Sequence, residues 1–196
     1  MIYFTADLHF GHGNIIRYCG RPFGSVEEMD QRITDNFKER LGADDDLYIL
    51  GDVTLNQSVA RVRNYLKDIP GRKHLIFGNH DERLRRHQKE IDDIFVECAD
   101  MKVLEVEDAD LGSVNFMLCH YPLLHWGYNE DGQGIHLFGH IHNNPAQNQV
   151  MSHVPHCLNV GVDLWDFRPL SVNEVLSEIR THDAAISKSL DELCSS

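Results

Sequence analysis

The stretch Leu75-Ile76-Phe77-Gly78-Asn79-His80-Asp81 decides the fold. A short apolar run of strand length stops at a glycine, and four polar, metal-type residues follow at once. Apolar runs bounded by turn residues read as buried strands. The same arrangement recurs along the chain. Ile2–Phe4 leads into Asp7-Leu8-His9, and Leu47–Leu50 into Gly51-Asp52. Val114–Cys119 ends at His120, and Ile135–Phe138 runs into Gly139-His140-Ile141-His142. A sixth run, Leu158–Val162, closes the series. Between the strands lie amphipathic stretches. Ser25-Val26-Glu27-Glu28 has the form of a capping box, followed by Met29, Ile33, Phe37 and Leu41 at helical spacing. Val59, Val62, Leu66 and Ile69 form a second stripe that ends at Pro70-Gly71, and Ser171-Val172-Asn173-Glu174 opens a third helix. Strands alternating with helices predict a layered α/β domain over residues 1–180. Residues 181–196 turn small and polar and are expected to be a loosely ordered tail.

Composition narrows the class. The 196 residues are 42% hydrophobic and 25% charged, an ordinary globular balance. The formal charge of −13 sets the surface against nucleic acid and anionic lipid unless bound metal offsets it. No apolar run has the length of a membrane span. The opening Met1–Asp7 lacks the basic region of a signal peptide. Five cysteines without a C-x-x-C fit a reducing, cytoplasmic setting better than a disulfide framework or a zinc–thiolate site.

Five strands thus deliver ligands at their C-terminal ends, the rim where α/β folds bind. Side chains at i and i+2 of an extended segment point the same way, so Asp7 with His9, and His140 with His142, can each form a claw. Two carboxylates, four imidazoles and the Asn79 amide suit Mn²⁺, Fe or Zn²⁺ rather than a Ca²⁺ or Mg²⁺ cage. Seven side chains exceed one tetrahedral shell. They suit two divalent ions about 3.5–4 Å apart that share a carboxylate.

The order D-x-H, G-D, G-N-H-D, H, G-H-x-H resembles the calcineurin-like metallophosphoesterase superfamily from Asp7 to His142. Within it, His9–Tyr18 and Arg21-Pro22-Phe23 are similar to the opening of small bacterial and phage members. The resemblance implies a four-layer α/β/β/α sandwich with a dimetal site at the C-terminal strand edge. It implies Asp7, His9, Asp52 and His142 around one ion, and Asp52, Asn79, His120 and His140 around the other, with Asp52 bridging. His80 and Asp81 are then the catalytic pair of this loop, His80 over the metals and Asp81 either reacting or supporting the loop. The implied activity is a metal-dependent phosphoesterase, with a metal-bridging hydroxide attacking a phosphodiester or nucleotide-like substrate in line. The chain departs from the superfamily after Gly51-Asp52. It reads Val53-Thr54-Leu55-Asn56 where Ser/Thr protein phosphatases and diadenosine tetraphosphatases have x-x-D-R-G, which counts against both activities. A nuclease acting on nucleic-acid ends and a non-catalytic scaffold on the same fold are the alternatives. The charge disfavours the first, and the complete ligand set disfavours the second.

Other residues carry sharper and plainer readings. His12, Asn14 and Arg17 are candidate substrate contacts, set against loop polarity and helix capping. Arg21 is a candidate anion contact or a surface residue. Tyr121, Pro122, His125 and Trp126 are candidates for a groove wall, with core packing the default for Trp126. Arg83, Arg85, Arg86 and Lys89 read as a solvated helix face. Asn159 and Asp163 are candidates for supporting the rim.

Overall fold

The computed structural model describes residues 1–109, 112–127 and 134–194, with side chains from 189 onward left out. In chain order the elements are β1 (Ile2–Thr5), α1 (Gly13–Cys19), α2 (Val26–Arg40), β2 (Asp46–Leu50), α3 (Val59–Leu66), β3 (Arg72–Ile76), α4 (Glu82–Arg86) and β4 (Glu97–Ala99). There follow β5 (Met101–Asp108), β6 (Gly112–Cys119), β7 (Gly134–Phe138), α5 (Pro145–Met151), β8 (Cys157–Asn159), β9 (Leu170–Ser171) and α6 (Val172–Cys194). The chain is a mixed α/β fold of two sheets flanked by helices. One sheet has the order β4-β3-β2-β1-β9, and the other β5-β6-β7-β8.

Side-chain alternation assigns the faces. On β2, Leu47 and Ile49 join Met29, Ile33 and Phe37 of α2 and Val59, Val62 and Leu66 of α3 in one apolar cluster. Tyr48 and Leu50 point the other way, toward Phe116, Leu118, Ile135 and Leu137 of the second sheet. Met151 of α5 packs with Phe138 and Trp126 on a third, smaller cluster. The Ser25 hydroxyl accepts the Glu28 N–H, as the capping box predicts.

Parallel pairing is what gathers the site. β1, β2 and β3 run parallel, as do β6, β7 and β8. The C-terminal ends of β1, β2 and β3 therefore share one edge of the first sheet, and those of β6 and β7 one edge of the second.

Three strands escaped the sequence reading. β5 alternates exposed and half-buried positions, but its outward residues include Glu105 and Glu107, and it pairs antiparallel with β6 at the sheet edge. β4 and β9 have three and two residues, too few to show a period. The loose tail expected at 181–196 is corrected: α6 continues through Cys194. His182 bonds the Ser152 carbonyl and Asp183 pairs with His156, which ties the start of that segment to the chain between α5 and β8. Residues 195 and 196 lie outside the described residues. Among the described residues, no helix is long and apolar enough to cross a membrane.

Candidate metal centre

The loops after the strands are laced to one another. The Asp7 N–H bonds the Gly51 carbonyl at 3.1 Å and the His9 N–H bonds the Asp52 carbonyl at 3.0 Å. On the second sheet the Gly139 N–H bonds the His120 carbonyl at 3.0 Å. The two sheets are joined where the His140 N–H reaches the Asp7 carboxylate at 2.9 Å. Close approach needs glycine. A Cβ on Gly51 would lie 2.5 Å from His120 Nδ1, and one on Gly78 2.3 Å from Asp52 Oδ1. Five predicted ligands adopt left-handed backbone: Asp7 (φ 58°), His9 (51°), Asp52 (55°), His140 (69°) and His142 (49°). Such conformations cost about 1–3 kcal/mol each and persist where surrounding structure over-determines them.

All seven predicted ligands converge. Asp7, His9 and His142 offer ligand atoms within 4.8 Å of one another, and so do Asp7, Asp52 and His120. Asp52 Oδ2 lies 3.6 Å from both His9 Nε2 and His120 Nε2. Asn79 Oδ1 stands 3.0 Å from His120 Nε2 and 2.8 Å from His140 Nδ1. Asp7 is common to both triads.

Electrostatics mark the site as short of positive charge. Burial pushes the Asp7 pKa up to about 8, with Asp52 adding to the effect. Burial lowers the histidines, His9 strongly and His120 and His140 less so, and keeps them neutral. His142 differs. Burial works against its charge, but the Asp163 bond raises its pKa to about 10.

A cation fits this donor set. His120 Nδ1 donates to the Leu50 carbonyl at 2.8 Å, so in the neutral ring Nε2 is a lone pair facing the Asn79 and Asp52 oxygens. His9 Nε2 is buried without a hydrogen-bond partner among the described residues. Acceptors facing acceptors, beside an orphaned imidazole nitrogen, are what ligands look like without their ion. The residues present therefore fit a metal.

The rest of the site divides into cleft and support. A cleft of about 630 Å³ opens over the cluster, lined by His9, His12, Asn14, Tyr18, His80 and His140 among others. His80 is part-exposed, its Nε2 4.0 Å from Asp52 Oδ2. Asp81 is not a reacting group. It is fully buried and accepts N–H bonds from Asp52, Val53 and Gly78, so the pairing of Asp81 with His80 as catalytic is corrected to a supporting role. Arg17 is exposed and its guanidinium lies over the Tyr18 ring rather than in the cleft lining. The departing segment Val53–Asn56 packs against the loop that carries His80, the Asn56 N–H bonding the His80 carbonyl.

Arg21 is neither anion contact nor surface. It is buried, grips Asp163 through Nε at 2.7 Å and Nη2 at 3.1 Å, and donates to the Asp7 and Leu8 carbonyls. Asp163 in turn bonds His142 Nδ1 at 2.8 Å and leaves Nε2 of that ring for the centre. Asn159 donates to the His142 carbonyl. Trp126 is core, its indole N–H on the Gly134 carbonyl, whereas Tyr121 is exposed with its ring 4.8 Å from that of His140. Arg85 and Arg86 pair with acidic neighbours on α4, as a solvated face does.

Fold and site together define an α/β protein whose two sheets present a histidine–carboxylate cluster at adjoining strand ends. The chain is 32% identical over 180 residues to the uncharacterized protein MJ1445 of Methanocaldococcus jannaschii, covering 91% of this chain and 90% of the relative, and it belongs to that family. It is also 28% identical to the Gene 66 protein of Mycobacterium phage D29, covering 91% and 96% of the two chains. Among solved structures it resembles the protein of unknown function AQ665 from Aquifex aeolicus at a TM-score of 0.70 and 27% identity, covering 91% of this chain and 99% of that one. No protein-family model matches the chain.

Proposed function

We propose that the protein is a dimetal-dependent phosphoesterase on a four-layer α/β/β/α sandwich, with phosphodiesters or nucleotide-like phosphate esters as substrates. The observation that carries this reading is the convergence of Asp7, His9, Asp52, Asn79, His120, His140 and His142, with His9 Nε2 orphaned among them. Asp7, His9, Asp52 and His142 would hold one ion, and Asp52, Asn79, His120 and His140 the other, with Mn²⁺ the favoured metal and Fe or Zn²⁺ compatible. When bound, the two ions supply an activated water and stabilise charge on the phosphoryl oxygens.

The chain's own residues do the rest. Asp163, held by Arg21, keeps His142 oriented, and the Leu50 carbonyl does the same for His120. Asp81 fixes the backbone of Asp52 and Gly78 and so sets where His80 stands. His80 faces the cleft, where it protonates the leaving oxygen. The cleft is open, which suits a small ester better than a bulky protein substrate.

The test is hydrolysis of mono- and diester libraries, cyclic nucleotides included, by Mn²⁺-loaded protein against metal-stripped protein. Turnover that appears with Mn²⁺ and is lost in Asp52→Ala supports the reading. Failure of the wild-type protein to bind two equivalents of divalent metal overturns it.

A further inference from the structure

The sequence His9-Phe10-Gly11-His12 places a second histidine three residues after a candidate ligand, and the turn brings their rings together. The His12 N–H bonds the His9 carbonyl at 3.1 Å. Gly11 has φ 70°, and its N–H is pinned by the Asp30 carboxylate at 3.0 and 3.1 Å. Phe10 stacks on Tyr65, with ring centroids 5.3 Å apart. The closed turn folds the His12 ring back over His9, so that the two Nδ1 atoms lie 3.4 Å apart. Among the described residues, that contact is the one side-chain hydrogen bond of either ring.

We propose that His12 is a positioning residue for His9: its Nδ1 accepts the Nδ1–H of His9 and thereby fixes the tautomer that turns the His9 Nε2 lone pair toward Asp52. The inference rests on the metal reading above, and its logic is proton counting. A neutral imidazole carries one N–H. Of two facing Nδ1 atoms, one must donate and the other accept. Were His12 the donor, His9 would carry its proton on Nε2, burying an N–H whose nearest carboxylate oxygen is 3.6 Å away, beyond hydrogen-bond reach. The reverse arrangement leaves Nε2 as a lone pair, as a metal ligand requires. It also puts the His12 proton on Nε2. Because His12 lines the cleft, that N–H becomes a neutral donor facing bound substrate.

Two substitutions separate the acceptor from the ring. His12→Phe keeps a flat ring and removes the acceptor. His12→Asn restores an oxygen close to the Nδ1 position. Mn²⁺ alone is titrated into each metal-stripped protein, with free Mn²⁺ counted by electron paramagnetic resonance. His12→Phe is expected to bind about 10–100-fold more weakly, and His12→Asn to recover most of the loss. Undiminished binding in His12→Phe, or equal loss in both variants, overturns the proposal. Imidazole ¹⁵N spectra of metal-free wild-type protein give a second reading that needs no variant to fold. They should show His9 protonated on Nδ1 and His12 on Nε2, and the opposite tautomers refute the proposal. Wild-type protein that binds no Mn²⁺ while showing those tautomers would overturn the metal reading and leave the His9–His12 pairing standing.

Discussion

Replacing Arg21 by Met probes the support under the site. The Arg21 and Asp163 side chains are 0% and 1% exposed. The substitution deletes two N–H bonds to Asp163, at 2.7 and 3.1 Å, and one each to the carbonyls of Asp7 at 2.8 Å and Leu8 at 3.1 Å. Breaking a buried ion pair from one side costs about 3–5 kcal/mol. Each orphaned buried carbonyl costs about 1–3 kcal/mol. These terms overlap, and His142 still bonds Asp163, so the expected loss is about 3–5 kcal/mol. At about 2–4 °C per kcal/mol for a chain of this size, the midpoint should fall by about 6–20 °C. Urea and thermal unfolding of the metal-free protein measure it. Arg21→Lys should fall in between, since an ammonium keeps the charge but cannot fork. The double variant Arg21→Met/Asp163→Leu should recover part of the loss, because it removes both charges together. A loss below about 1 kcal/mol for Arg21→Met would refute the idea that this pair holds the rim.

Other outcomes test separate parts of the site. Gly78→Ala would place a Cβ 2.3 Å from Asp52 Oδ1 and 2.6 Å from its backbone nitrogen; we expect a loss of at least about 1–3 kcal/mol in denaturant unfolding, and wild-type stability would contradict the packing. Asp52→Ala should empty both metal positions while Asp7→Ala mainly empties one; metal analysis showing the same single-ion loss in both would remove Asp52 as the bridge. His80→Asn should keep its metal and lose about 10²–10⁴ in kcat on alkyl or nucleoside esters, with a clearly smaller loss on a p-nitrophenyl ester. Equal losses on the two esters would point to phosphoryl-oxygen stabilisation instead of proton donation. At the far end of the first sheet, the Arg72 bond holds the Asp46 pKa below its ordinary 3.8, against burial and with help from His74. A depressed carboxylate stabilises the fold above its unfolded pKa, and that stability is lost as pH falls through the folded value. Asp46→Asn should therefore lower stability at pH 7 and flatten its decline below pH 4, and an unchanged acid profile would exclude the linkage.

Where a residue's role follows from its neighbours in sequence, it was legible. The capping box at Ser25, the apolar stripes of α2 and α3 and the five ligand-bearing strand ends all follow from period and turn chemistry. Where a role depends on what lies opposite, it was not. Arg21 looked like an exposed cation because Arg-Pro commonly lies in a surface turn. Its partner Asp163 is 142 positions away. Asp81 sits next to His80 in the chain and was grouped with it, yet its oxygens face the backbone of the neighbouring strand's loop. After residue 180, Ile186, Leu190 and Leu193 recur at helical spacing, a signal outweighed in the reading by the small and polar residues around them, and His182 and Asp183 tie the start of that stretch to Ser152 and His156.

The sequence by itself determined which side chains stand at the ends of which strands, because strand length, alternation and glycine punctuation are local properties of the backbone. Tertiary structure alone decided that the strand ends of the two sheets come together at that rim, where the His140 N–H from one sheet closes on the Asp7 carboxylate from the other across 133 residues. It also decided which polar side chains are buried as supports and which face the cleft. Burial and partnership are set by the element packed opposite, and no local pattern carries that information.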